Sequence, residues 1–186
     1  MLFRSSNTTA GSGVAVGYQA LYSNTTGAYN NAVGESTLRA NTTGSYNTGV
    51  GHNALTSNTT GQSNAAFGQQ ALASNTTASN NTAVGYQAGY TNTTGTRLTA
   101  VGYQAGYTAN ASYNTFIGSY SGNKTTSGTS NSAVGDASLY NNTTGTSNVA
   151  FGSDALYSNT TASYNTAVGF QAGYAHTTGE IGRAHV

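Results

Sequence analysis

Apolar positions along the chain come in two short groups within every stretch of seventeen residues. "TAVG" at 82–85 and "YQALY" at 18–22 are short apolar-rich runs, read with the period-two in-and-out pattern of a strand. Each group predicts a short strand, and the polar "NTTG" between copies predicts a turn. Each unit thus predicts two strands separated by a bend.

The register of these units is set by glycine. Dipeptides VG, FG and IG place Gly17, Gly34, Gly51, Gly68, Gly85, Gly102, Gly118, Gly135, Gly152 and Gly169 at intervals of 17, with one interval of 16 before Gly118. The residue before the glycine is always Val, Phe or Ile (Val16, Val33, Val50, Phe67, Val84, Val101, Ile117, Val134, Phe151, Val168), which predicts a buried column. The residue after it varies freely (Tyr18, Glu35, His52, Gln69, Ser119, Asp136, Ser153) and is expected to face solvent. Two before the glycine stands a small residue, as in Ala32, Ala66, Ala83, Ala100, Ala133, Ala150 and Ala167, expected to let neighbouring copies approach closely. Four before it stands, in most copies, an asparagine (Asn30, Asn47, Asn64, Asn81, Asn114, Asn131, Asn148, Asn165), replaced once by Leu98. These asparagines predict a hydrogen-bonded amide ladder.

A unit of this length is too short for a helical hairpin. The expected fold is all-β: a β-solenoid, or parallel β-roll, of about ten 17-residue repeats, oligomeric or polymerised. Gly and Asn are expected to supply the corners with positive φ. Stacked at ~4.8 Å per coil, ten coils make a rod of roughly 50 Å. The array spans 14–180, with a partial repeat at 1–13 and a non-repeat tail at 181–186. That tail, "IGRAHV", resembles the in-frame translation of a sequencing-library adapter, so the natural C-terminus is expected to lie beyond it.

One column carries a local exception. Four residues after the glycine stands Leu21, Leu38, Leu55, Leu72, Leu139 or Leu156, but Gly89, Gly106, Gly122 and Gly173 in the remaining coils. The out-of-pattern Leu98 and Phe116 and the single deletion all fall near the first three of these glycines. They are expected to compensate for a thinned core.

Composition narrows the function classes. Charged residues are only 5% of the chain and the formal net charge is +1, so there is no basic surface for a phosphate backbone, and no nucleic-acid partner is expected. With no cysteine there is neither a disulfide framework nor a thiolate metal site. No apolar run reaches the ~20 residues of a membrane span. The opening "MLFRSS" is too short and polar for a secretory signal; if the protein is exported, its signal is expected to lie outside this chain.

Candidate chemistry is sparse. Asn7, Asn24, Asn41, Asn58, Asn75, Asn92, Asn142 and Asn159 each begin an N-T-T triplet that matches the N-glycan acceptor pattern, and the same triplets are good turn formers. Glu35 and His52 share one column in adjacent coils, without a recurring nucleophile or third group, so neither catalytic residues nor cofactor or metal sites are expected. Tyrosines five after the glycine (Tyr22, Tyr90, Tyr107, Tyr140, Tyr157, Tyr174) and at the later corner (Tyr29, Tyr46, Tyr113, Tyr164) predict aromatic ladders.

The unit "NTAVGYQA", whole at 81–88 and nearly so at 165–172, resembles the head repeats of trimeric autotransporter adhesins. It is also similar to repeats in phage tail-fibre shafts and bacterial surface fibres. The resemblance implies a parallel β-roll at the cell surface, outside the cell or on a virion fibre, packed with copies of itself as a trimer or filament. Its implied role is structural and adhesive rather than enzymatic. The alternative is a module whose repeated face recognises carbohydrate, such as host-surface or matrix glycans, or, less in keeping with the pattern, ice.

Overall fold

The computed structural model describes residues 11 and 13–179. The partial repeat at 1–13, apart from Gly11 and Gly13, and the tail at 181–186 lie outside the described residues, as does Asn7. Among the described residues there are ten strands and no helix: β1 Val14–Val16, β2 Asn31–Val33, β3 Thr48–Val50, β4 Ala65–Phe67, β5 Thr82–Val84, β6 Thr99–Val101, β7 Thr115–Ile117, β8 Ser132–Val134, β9 Val149–Phe151 and β10 Thr166–Val168. They stack in chain order into one parallel sheet. The chain is a β-solenoid of about nine turns, one seventeen-residue repeat per turn, and residues of one column sit directly above one another, as Ala66 does with Ala83 and Phe67 with Val84.

Each strand stops at its glycine for two reasons that act together. Gly17, Gly68 and Gly152 take φ of 133°, 137° and 132°, a region closed to side chains. A Cβ at Gly68 would also stand 2.4 Å from the Gly85 carbonyl oxygen of the next coil.

The structure has one strand per coil, not two. Through the segment expected to form the second strand, alternate residues take left-handed φ, as at Gln19 (56°) and Leu21 (51°), so the chain advances by turns. Its amides still bond to the neighbouring coils: Leu21 N donates to Thr37 O and Ser36 N to Tyr18 O. The left-handed corners are therefore filled by Gln, Leu, Tyr, Ser, Asn and Arg as well as Gly. Gly27, in the NTTG turn, is closely packed instead: a Cβ there would meet Gly44 O at 2.2 Å, so a side chain in this column, as at Ala78, requires the turn to shift.

The inside of the coil also differs from expectation. In each strand the central residue points inward and its neighbours outward, so Ala32, Ala66, Ala83, Ala100, Ala133 and Ala150 are fully buried. These alanines pack inside their own coil and are not a surface for close approach between copies. The flanking Val, Phe and Ile face out; Val33 is 39% and Phe67 41% exposed. The core is completed by the leucine column and by Ala20, Ala54, Ala71 and their equivalents.

Within so tight a core, volume is exchanged between neighbouring columns. A Cβ at Gly89 would lie 3.1 Å from Leu98 Cδ2, and one at Gly122 would lie 2.3 Å from Phe116 Cδ1. Both Leu98 and Phe116 are fully buried, so they occupy the space left by leucines absent at Gly89, Gly106 and Gly122. A third exchange pairs Thr37 with Gly49, whose Cβ would meet Thr37 Cγ2 at 2.6 Å.

The shortened coil is repaired by a side chain. In regular coils the amides of two threonines reach one backbone carbonyl, as Thr42 N and Thr43 N do at Thr59 O. One residue is missing from the corresponding turn before Gly118, and there Asn110 Oδ1 accepts from Thr93 N at 2.9 Å and Thr94 N at 3.0 Å. The amide oxygen of a side chain thus stands in for a main-chain carbonyl.

Candidate functional site

Two asparagine ladders run through the solenoid. In the first, Asn30 Oδ1 accepts from Asn47 N at 2.9 Å, and Asn47 Nδ2 donates to Gly61 O at 2.8 Å. The pattern repeats through Asn64 and Asn81, where Leu98 N is the last donor, and resumes from Asn114 through Asn131, Asn148 and Asn165. Leu98 interrupts this ladder because it has no amide, while its bulk serves the core beside Gly89.

The second ladder is built from the glycan-acceptor candidates. Asn58 Nδ2 donates to Asn41 Oδ1 at 2.7 Å and to Gly61 O at 3.0 Å, so both amide hydrogens are engaged. Asn24, Asn41, Asn75, Asn92, Asn142 and Asn159 are likewise buried and close the same turn with their own amides. In the folded coil these seven are therefore not glycan acceptors; a sugar on Nδ2 would displace a buried hydrogen bond and the neighbouring coil. The first threonine of each triplet is engaged too, as when Thr59 Oγ1 donates to Thr76 O at 3.1 Å. The second, such as Thr43, Thr60 or Thr77, faces solvent.

Outside the coil, the sheet presents a continuous face of two columns. One runs through Val16, Val33, Phe67, Val84, Ile117 and Phe151 to Val168, all exposed; the other carries Val14, Thr82, Thr99 and their equivalents. The expected burial of the first column is wrong for the isolated coil. Period-two alternation assigned its residues to one face correctly but placed that face on the wrong side.

The tyrosine columns stack where neighbours are present. Tyr90 and Tyr107 lie 5.2 Å apart and nearly parallel, and Tyr140, Tyr157 and Tyr174 form a three-ring stack. At the later corner Tyr29 stacks on Tyr46, and Arg97 lies over the Tyr113 ring. Stacked faces cover one another. The Tyr157 phenol is pushed above its ordinary value, first by burial and then by the Tyr140 and Tyr174 phenols.

Glu35 and His52 are both exposed, and the His52 ring contacts the Asn53 amide. Among the described residues no group of three or more His, Asp or Glu side chains is placed to hold a metal ion, and no helix is long and apolar enough to cross a membrane. No family model matches the chain, and no curated protein or solved structure is significantly similar to it.

Proposed function

We propose that the chain is a non-enzymatic structural rod of a cell-surface or virion fibre, and that it associates with copies of itself through the outward face of its sheet. The observation that carries this reading is the exposed Val, Phe and Ile column, kept apolar in every coil while the column after the glycine accepts Glu35, His52 and Asp136. Ten strands at ~4.8 Å, each of three residues at ~3.3 Å, make a face of about 480 Å². A patch of about 300–600 Å² is the largest on an ordinary monomer and is often a site of interaction.

Charge and shape favour a second copy over an unrelated protein. The face carries no charged residue in its two outward columns and repeats in one register, so an identical face offers matching columns along its length. Burying it also thickens a coil whose own interior holds little more than alanine and leucine. Placement outside the cell or on a virion follows from the resemblance of the repeat to surface-fibre units.

Native mass spectrometry and electron microscopy of the purified chain test the reading. A defined oligomer or unbranched rods support it, and a monomer at every accessible concentration refutes it. Labelling of intact source cells or virions with an antibody to the chain tests location.

A further inference from the structure

On another side of the solenoid the tyrosine column is broken. Five residues after the glycine it reads Tyr22, Arg39, Thr56, Ala73 and Tyr90, so three consecutive coils lack a ring. A groove of about 490 Å³ opens there, lined by Tyr22, Ser23, Arg39, Ala40, Thr56 and Ser57.

What distinguishes this groove is that its polar groups are uncommitted. The other described cations are engaged with tyrosines: Arg97 with Tyr113, and Lys124 over the Tyr140 ring while donating to Asn141 Oδ1 at 3.0 Å. The Arg39 guanidinium has no hydrogen bond, ion pair or ring contact among the described residues. The Tyr22 ring is 50% exposed and stacks on no other described tyrosine, unlike Tyr90 and Tyr107 in its own column. Thr91 and Thr108 direct their hydroxyls to the backbone at Tyr107 O and Asn123 O, whereas the hydroxyls of Ser23 and Ser57 in the same column have no partner among the described residues.

An open aromatic face, a fork of charged donors and free hydroxyls within one groove match one ligand class. We propose that this groove binds a sugar bearing a carboxylate, with the pyranose ring on Tyr22, the carboxylate on Arg39 and the sugar hydroxyls on Ser23, Thr56 and Ser57. A planar guanidinium holds a carboxylate through two parallel hydrogen bonds, and an exposed tyrosine offers the apolar sugar face a rigid platform. The site lies away from the sheet face and does not depend on self-association.

Calorimetric titration of the full chain with methyl β-D-glucuronide, methyl β-D-glucoside and sodium acetate tests the proposal. A ligand of this size in an open groove is expected to bind with a Kd on the order of 1 mM. The glucuronide is expected to bind at least ~10-fold more tightly than either control, because the glucoside has no carboxylate for Arg39 and acetate has no ring for Tyr22. Arg39→Gln is expected to reduce the glucuronide to the level of the glucoside, Tyr22→Ala to weaken both sugars, and Arg97→Gln to change neither. Equal binding of glucuronide and glucoside, an Arg39→Gln titration like that of the parent, or no saturable binding in the tens of millimolar overturns it. Unchanged melting temperatures establish that each variant is folded.

Discussion

The Asn41 side-chain amide donates to Asn24 Oδ1 at 2.7 Å and to the Gly44 carbonyl at 2.9 Å, so both of its hydrogens are committed inside the coil. The same two bonds recur at Asn58. One side chain therefore joins adjacent coils and closes its own turn.

Replacing Asn58 leaves Asn41 Oδ1 without its donor in a buried place and Gly61 O with Asn47 Nδ2 alone. Asn58→Ala is expected to lower unfolding stability by about 1–3 kcal/mol, and Asn58→Asp by more, because it buries a carboxylate facing two acceptors. Denaturant titration measures both. Expressed through a glycosylating secretory route, the folded protein is expected to carry unmodified Asn41, Asn58 and Asn75, which peptide mass spectrometry checks.

The volume exchange predicts rescue. Phe116→Ala is expected to cost about 3–5 kcal/mol by opening a cavity beside Gly106 and Gly122. Gly122→Leu alone is expected to clash with the Phe116 ring. The double variant restores the arrangement of the Leu139 coil, where leucine takes φ of 53° without difficulty, so it is expected to be more stable than either single change. A double-mutant cycle with no favourable coupling contradicts this packing.

Two glycine columns should differ sharply. Gly68→Ala places a side chain at φ 137° against the next coil's backbone and is expected to cost at least about 2–3 kcal/mol. Gly61→Ala is expected to cost less than Gly68→Ala, because a Cβ 2.3 Å from Ala78 O needs only the turn shift that the chain already makes at Ala78, Ala111 and Ala162, with no positive φ. Thermal melts of the two variants side by side decide it.

Tyrosine stacking predicts a pH dependence. The folded chain holds the Tyr157 proton more tightly than the unfolded chain, whose phenol keeps the ordinary value of 10.0. That contribution is complete below pH 10 and is lost as pH rises through the folded-state value. The melting temperature is expected to fall above about pH 10, and less steeply in Tyr157→Phe. Melts with parallel phenolate absorbance measure both effects.

The seventeen-residue period and the solenoid were legible in the sequence because one backbone position tolerates only glycine, and its recurrence marks every coil. Alternation in residues 82–84 correctly set Thr82 and Val84 on one face and Ala83 on the other. It could not say which face is inside. Size suggested Val84, whereas the structure encloses Ala83 and turns Val84 outward. The second strand failed because Gln19 and Leu21 take left-handed φ, and the segment buries two adjacent residues, Ala20 and Leu21, rather than alternate ones. The Asn30 column was legible as an amide ladder, whereas Asn24 read as a turn residue and glycan acceptor; its burial comes from a match between the amide and the spacing of coils, which composition does not reveal. The Tyr22 and Arg39 groove showed only as a gap in a column.

The central claim is that the exposed Val, Phe and Ile column is a contact between copies. Sedimentation velocity of the full chain, compared with a variant carrying Val50→Ser, Phe67→Ser and Val84→Ser, tests it most directly. The account predicts an oligomer for the parent and a monomer of unchanged circular dichroism for the variant. A monomeric parent, or a variant that sediments with the parent, contradicts it.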